Sequence, residues 1–177
     1  MSVSTNRKDT EMAEIICISA ADKARADKES VAKLLKEELK KENKRVLIAR
    51  FADPIKHICR DWFGWNGLMD DVGRSFLRYV GTEIVRARRP DFWVDFMVGL
   101  LSMLGSEWDY VIIPDCRQPN ELDMERYGFQ PRHIRVEGKG AYPAGPLGNT
   151  APDFTIKSDS PRLRSDVAAV AQNLVYA

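Results

Sequence analysis

Short apolar runs alternate with longer amphipathic segments along most of this chain. The first run, Ile15-Ile16-Cys17-Ile18, is continuous, which is typical of a strand covered on both faces in a parallel sheet. Further strands are predicted at 45–49, 110–113, 133–136 and 154–156. Because strands that alternate with helices form right-handed βαβ units, this order predicts an α/β fold, a three-layer sandwich around a parallel sheet of about five strands.

The segments between these runs predict the helices. After a charged stretch interpreted as a loop over 20–30, leucines recur at helical spacing from Val31 to Leu39. Asp53, followed by proline, is predicted to cap the next helix, and Asp91 to cap another whose aromatic residues, Phe96 among them, face the core. A long helix is predicted between the two.

Composition and charge narrow the class of protein. The chain has 177 residues and a net charge of +1, so it has no general basic field for nucleic acid. It has no apolar run long enough to span a membrane, and we expect no membrane partner. Three widely spaced cysteines predict buried thiols in a reducing compartment, so a cytoplasmic location is expected.

The domain organisation is predicted to be simple. Residues 1–13 are polar and are interpreted as a disordered leader, and residues 14–177 as one domain. Within that domain, glycines and prolines are frequent between 137 and 153, which predicts a flexible loop. Whether the protein forms a homodimer stays open.

A candidate phosphate loop follows the first strand. Such a loop has the form G-x-x-x-x-G-K-[ST], in which backbone amides and the lysine hold phosphates and the hydroxyl holds magnesium. Lys28 fits the lysine position, but Asp22 and Asp27 stand at the two glycine positions. Glu29 stands at the hydroxyl position and Ser30 follows it. The segment 22–30 therefore predicts a phosphate loop that lacks the glycines such a loop needs to hold ATP, and Lys28 can also be interpreted as a solvated lysine in the first turn of a helix.

Four further segments resemble the deoxynucleoside monophosphate kinases, which are P-loop enzymes that transfer a phosphoryl group from ATP to a deoxynucleoside monophosphate. They are Phe51-Ala52-Asp53-Pro54-Ile55-Lys56, the run 73–83 with Gly81-Thr82-Glu83, Arg89-Pro90-Asp91-Phe92-Trp93-Val94, and the run 111–121 with Asp115-Cys116-Arg117-Gln118-Pro119-Asn120-Glu121. The resemblance runs from about residue 14 to 137. It implies a P-loop kinase fold with ATP and Mg²⁺ as cofactors.

The resemblance also implies roles for particular residues. Lys28, Asp115 and Arg117 would be catalytic, with Asp115 and Ser30 as ligands of magnesium. The turn Asp22, Asp27, Lys28, Glu29 and Ser30 would bind ATP. The substrate would be held by Arg74, Thr82, Glu83, Arg86 and Trp93, the two arginines gripping its phosphate as guanidinium forks.

Three departures from the family pattern leave the activity open, and the mildest is Gln118 in place of the usual phenylalanine. Aspartates in the phosphate loop bring negative charge towards phosphate and remove the freedom of glycine. The segment 137–153 has only Lys139 as a cation with which to clamp a transferring phosphoryl group. Three functions are therefore carried forward: a working kinase, a catalytically inactive pseudokinase that keeps its deoxynucleotide pocket, and a partner-binding scaffold without a nucleotide role.

Overall fold

Five parallel strands form the centre of the molecule. A computed structural model describes residues 12–20, 25–138 and 146–176. The strands are β1 (Glu14–Ala20), β2 (Val46–Ile48), β3 (Tyr110–Ile113), β4 (Arg132–Glu137) and β5 (Phe154–Lys157). They lie in the order β2-β3-β1-β4-β5, and every neighbouring pair is parallel. The predicted sheet and its three-layer arrangement are confirmed.

Helices cover both faces of the sheet. They are α1 (Arg25–Lys41), α2 (Ala52–Phe63), α3 (Asp71–Arg78), α4 (Phe92–Leu104) and α5 (Leu163–Tyr176). Two apolar cores result. One contains Leu35 of α1 and Leu174 of α5 against even-numbered residues of β1, and the other contains Trp93 of α4 against odd-numbered ones. The alternation follows from strand geometry, which points successive side chains to opposite faces.

Two predicted helix starts, those of α1 and α2, are wrong, whereas α4 begins at Phe92, directly after Asp91 as predicted, but the Asp91 side chain has other partners. Helix α1 begins at Arg25, so residues 25–30 are helical where a loop was predicted. Helix α2 begins at Ala52, because the carboxylate of Asp115 takes the amides of Phe51 and Ala52, so Asp53 lies inside the first turn and is not the cap. The Asp91 carboxylate accepts hydrogen bonds from Asn120 and pairs with Arg126.

Helix α4 is less buried than its sequence predicted. Trp93, Val94, Met97 and Leu101 lie in the core, but Phe96 is 47% exposed. A helix against a sheet can bury only one stripe, and the apolar residues of α4 extend around more of its circumference than that stripe.

A π-helical segment, Tyr79–Arg86, continues α3 without a break. The long helix predicted here is therefore present but changes its winding halfway. The carbonyl of Gly81 in this segment accepts a hydrogen bond from the Trp93 indole at 2.9 Å, which ties the segment to α4.

Parts of two domain predictions fall on residues that the structure does not describe. These are residues 1–11 of the predicted leader and 139–145 of the predicted loop, including Lys139. In the described remainder of that loop, Leu147 is buried and its carbonyl accepts a hydrogen bond from Arg135 of β4. Across the described residues, no helix has both the length and the apolar character needed to cross a bilayer.

Candidate functional site

A cavity of about 620 Å³ lies beyond the carboxyl ends of β2 and β3, bounded by the first turn of α1 and by α2, α3 and the π-helical segment. This is the edge of a parallel sheet where ligands bind, close to the point where the strand order reverses. The cavity is strongly basic. Three carboxylates, Glu29, Asp115 and Glu121, face seven basic residues in its wall: Lys28, Arg50, Lys56, Arg74, Arg78, Arg86 and Arg117.

The change from α to π winding places four cavity residues on one face. Arg74, Arg78, Thr82 and Arg86 are four residues apart and all line the cavity. In an α-helix, each step of four residues overshoots a full turn by about 40°, so the last member would rotate well away from the first. In a π-helix the backbone hydrogen bonds join residues five apart and the winding is looser. Four-residue steps in that segment therefore do not rotate the side chains further in the same direction.

Asp115 follows β3 and caps the start of α2. Its two carboxylate oxygens accept the amides of Phe51 at 3.1 Å and Ala52 at 2.9 Å. Burial raises the pKa of Asp115, while the two amide hydrogen bonds and the charge of Lys28 act in the opposite direction. Lys28 itself is buried in the first turn of α1, with 5% of its surface exposed. The two residues therefore form the inner end of the cavity.

Glu29 and Arg50 make a two-pronged ion pair beside Lys28. Arg50 Nε donates to Glu29 Oε1 at 2.8 Å, and Arg50 Nη2 donates to Glu29 Oε2 at 2.6 Å. The hydrogen bond to Glu29 raises the pKa of Arg50, and the same bond lowers the pKa of Glu29. The pair joins α1 to the segment after β2, and its carboxylate stands where a P-loop has a hydroxyl.

Glu121 is the most buried carboxylate of the cavity, with 2% of its surface exposed. It pairs with Arg86 and also accepts the amides of Arg117 and Gln118. Arg117 therefore has its backbone fixed by Glu121, while its side chain is exposed at the cavity wall.

The rest of the predicted ATP turn is not gathered at the cavity wall. Asp22 lies outside the described residues. Asp27 is within hydrogen-bond distance of the Ser158 hydroxyl, 3.1 Å away on the segment after β5. Ser30 is exposed and is absent from the cavity lining, because it lies two residues from Lys28 and so on another face of α1.

Of the predicted nucleoside contacts, the structure brings Thr82 to the cavity but not Glu83 or Trp93. Glu83 is exposed and lies 3.8 Å from Arg78 in a surface ion pair. Trp93 is 2% exposed, and its indole N–H is already bonded to Gly81. Its place is in the core, where it supports the π-helical segment from behind.

The residues present fit a magnesium ion that arrives with a nucleotide better than one held by protein alone. Among the described residues, no three His, Cys, Asp or Glu side chains form a group that could hold a metal ion. Magnesium bound with a nucleotide needs only one or two protein oxygens in addition to phosphate oxygens. Asp115 supplies such a carboxylate at the cavity wall, since each of its oxygens has a further lone pair beside the amide bond.

Sequence reasoning missed Arg50, Lys56, Arg78 and Glu121 as members of the site. Two signals were present. Arg78 follows Arg74 by one helical repeat, and Glu121 closes the Asp-x-Arg-x-Pro-Asn-Glu element. Arg50 and Lys56 reach the cavity because β2 ends at this edge and α2 starts there, which requires the strand order.

Known proteins resemble this chain in fold. No family model matches the sequence, and no curated protein matches it. A structure of the APS kinase of Mycobacterium tuberculosis is similar with a TM-score of 0.51 and 10% identity, covering 94% of this chain and all of the other. A structure of the tunicamycin resistance protein of Deinococcus radiodurans has a TM-score of 0.52 and 12% identity, with 93% and 96% covered.

The chain therefore shares the α/β three-layer fold of these two structures. At this level of identity the likeness concerns the fold, and the function depends on the residues of the site.

Proposed function

We propose that this protein is a deoxynucleoside monophosphate kinase-like phosphotransferase that binds its acceptor nucleotide in the basic cavity. The observation that carries the proposal is the cavity wall, where seven basic residues face three carboxylates in a chain whose net charge is only +1. Such a concentration of positive charge at the ligand-binding edge of a parallel sheet favours an anionic ligand.

The cavity also has a part that suits a nucleoside. Phe51, Ile55, Met69 and Leu77 supply apolar surface, and Thr82 and Ser75 supply hydroxyl groups. The volume lies within the range of small-molecule sites, roughly 300–1,000 Å³. A ligand with a flat apolar base and a phosphate matches this division better than a purely inorganic anion or a purely apolar molecule does.

The donor nucleotide would enter beside Lys28 and Asp115. In this proposal Lys28 contacts phosphate oxygens and Asp115 holds the magnesium that accompanies ATP. When bound, that magnesium neutralises charge on the phosphates. The other tasks belong to the chain: Lys28 and the arginines orient the two nucleotides and stabilise the charge that spreads over the phosphoryl oxygens during transfer.

The second candidate, a pseudokinase that binds a deoxynucleotide without using ATP, is favoured by the Glu29–Arg50 pair. Glu29 places a carboxylate next to Lys28. The same carboxylate accepts two short hydrogen bonds from Arg50, so that guanidinium is already paired. Negative charge at this position opposes the binding of phosphate. The two candidates share the acceptor cavity and differ only in the donor half.

Calorimetry distinguishes them. The purified protein is titrated with ATP and Mg²⁺, and separately with each of the four deoxynucleoside monophosphates. Binding of both, followed by formation of ADP and the diphosphate, supports the kinase. Binding of a monophosphate alone supports the pseudokinase. Binding of neither contradicts both and leaves the partner-binding scaffold.

Arg74→Ala tests whether the cavity is the acceptor site. The loss of one charged hydrogen-bond donor to phosphate removes about 1.5–3 kcal/mol, so the affinity for the monophosphate should fall by about tenfold or more. Arg164→Ala is the control, because it removes an exposed arginine from α5, which contributes no residue to the cavity wall. Equal affinities in the two variants would place the acceptor elsewhere.

A further inference from the structure

We propose that Glu121 is the positioning residue of the acceptor site: it holds Arg86 at the cavity wall with one guanidinium nitrogen unpaired, and this nitrogen binds the phosphate of the incoming nucleotide. The inference rests on the proposed function and names the part of the cavity that receives the phosphate. It also links that part to the loop that carries Asp115 and Arg117.

Every oxygen of the Glu121 carboxylate has a defined partner. Oε1 accepts from Arg86 Nη2 at 2.8 Å. Oε2 accepts from the amide of Arg117 at 2.6 Å and from that of Gln118 at 3.0 Å. Burying a carboxylate is costly unless it is paired and hydrogen-bonded, and Glu121 meets both conditions while only 2% exposed.

Arg86 is only half satisfied by this arrangement. Its side chain is 20% exposed and lines the cavity. Its Nη1 atom is buried, and no hydrogen-bond partner for it lies within the described ranges. A buried donor without a partner is destabilising, because it has lost its hydrogen bonds to water and gained none in return. A phosphate oxygen would remove that cost, since a guanidinium presents donors in a fork that matches phosphate.

A structural ion pair alone does not explain this geometry. An arginine that served only to neutralise Glu121 could donate from two nitrogens to the carboxylate, as Arg50 does from Nε and Nη2 to Glu29. In Arg86 one nitrogen is used, because the second oxygen of Glu121 is taken by two backbone amides. The amides thus limit Arg86 to one contact with Glu121, from Nη2, and its buried Nη1 has no partner within the described ranges.

The same carboxylate fixes the loop after β3. The amides of Arg117 and Gln118 donate to the side chain of Glu121, which ends the short turn Pro119–Glu121 that follows them. The backbone amide of Glu121 in turn donates to the carbonyl of Gln118 at 3.0 Å. The phosphate-binding guanidinium and the Asp115 loop are therefore connected through one residue. We expect disturbance of Glu121 to be felt at both.

The test is Glu121→Gln, with Glu125→Gln as the matched control. The amide of glutamine can accept on one side only, so its NH₂ group must face either Arg86 or the two backbone amides, all of which are donors. Glu125 lies four residues further along and is exposed, so the same chemical change there leaves the cavity intact.

Affinity is measured by calorimetry for the tightest-binding deoxynucleoside monophosphate and for its own deoxynucleoside, which lacks the phosphate. Glu121→Gln should reduce the preference for the monophosphate by about tenfold or more and leave the affinity for the deoxynucleoside unchanged. In an Arg86→Ala background it should add little to the loss. Two results would overturn the proposal. One is a preference for the monophosphate in Glu121→Gln that equals the preference in Glu125→Gln. The other is a loss of this preference on adding Glu121→Gln to Arg86→Ala that is as large as the loss in the wild-type background.

Arg86→Lys keeps the test decisive if Glu121→Gln does not fold. Lysine retains the charge opposite Glu121 but presents no second nitrogen, so it too should lose the preference for the monophosphate while remaining folded. A folded Arg86→Lys variant with the wild-type preference would contradict the assignment.

Inorganic phosphate separates this proposal from the proposed function. Millimolar phosphate should raise the Tm of the wild type and of Glu125→Gln but not of Glu121→Gln. If that pattern holds while no deoxynucleotide binds, the proposed function is wrong and the phosphate subsite stands. If neither phosphate nor any deoxynucleotide binds the wild type, both are overturned.

Discussion

At the scale of single residues, one buried histidine has a partner on a neighbouring strand. His133 of β4 is 4% exposed, and its Nε2 lies 2.7 Å from the hydroxyl of Ser19 on the neighbouring strand β1. Burial lowers the pKa of His133, and the charge of Arg135 acts in the same direction. Burial thus favours the neutral imidazole, because protonation would place a positive charge in the interior of the sheet.

This arrangement predicts a loss of stability in mild acid. Since the folded pKa of His133 lies below its ordinary value of 6.5, the unfolded chain binds the proton first as the pH falls through that value. The free energy of unfolding should therefore decrease between pH 7.5 and 5.5. His133→Gln, which keeps a hydrogen-bonding partner for Ser19, should show a smaller decrease in urea unfolding experiments.

His57→Gln provides the comparison, because His57 is exposed on α2, where its ring lies 3.1 Å from Asp61. We expect this variant to lose stability with falling pH as the wild type does. If the free energy of unfolding of His133→Gln falls with pH as much as that of the wild type, the buried imidazole is not the source of the acid sensitivity.

At the scale of elements, the helices that form the cavity depend on close approaches that the sheet does not impose. Helix α3 starts where Asp70 accepts the amide of Gly73 at 2.7 Å, and Gly73 packs against the loop between α2 and α3. A Cβ atom at Gly73 would stand 1.9 Å from the carbonyl oxygen of Leu68 and 2.9 Å from the indole nitrogen of Trp65. Only glycine fits without moving the backbone.

We expect Gly73→Ala to destabilise the protein by about 1–3 kcal/mol, as overpacking of a filled site does. It should also weaken nucleotide binding, because Arg74 and Arg78 follow on the same helix. Gly99→Ala in α4 is the control: its Cβ would have no neighbour within 4 Å, so better helix propensity should raise stability by up to about 1 kcal/mol. Urea unfolding measures the change in stability, and calorimetry measures the change in affinity. An unchanged free energy of unfolding in Gly73→Ala would show that the α2–α3 loop moves at little energetic cost.

At the scale of the whole molecule, we expect the residues of α5 that stabilise one face of the sheet to play no part in ligand binding. The core formed by α1 and α5 lies on one face, and α5 contributes no residue to the cavity wall. Leu174 of α5 is 6% exposed, and its carbonyl accepts the hydroxyl of Tyr110 at 2.9 Å, so α5 is fastened to the centre of the sheet.

Leu174→Ala should therefore lower the free energy of unfolding by about 2–5 kcal/mol and leave the affinity for the monophosphate unchanged at a temperature where the variant is folded. Leu104→Ala, at a position 47% exposed at the end of α4, should cost much less. Thermal unfolding and calorimetry of both variants measure the two quantities. Weaker binding by a folded Leu174→Ala variant would mean that the α5 face and the cavity are coupled.

The sequence alone determined the architecture, because the signals for a parallel sheet are local. Continuous apolar runs such as Ile15–Ile18 mark strands buried on both faces, and the segments between them carry helical periodicity. The resemblance to the deoxynucleoside monophosphate kinases predicted Lys28, Arg74, Arg86, Asp115 and Arg117 as site residues, and all five line the cavity.

Only the tertiary structure decided which polar side chains face one another. Helix α2 starts where it does because of a carboxylate from another strand, and Asp91 bonds Asn120 and Arg126 instead of acting as the predicted cap. Glu121 and Arg86 are 35 residues apart, and Glu29 and Arg50 are 21 apart. Hydrophobic periodicity records burial along one element, whereas these pairings depend on strand order, helix winding and distance in space, which no local pattern contains.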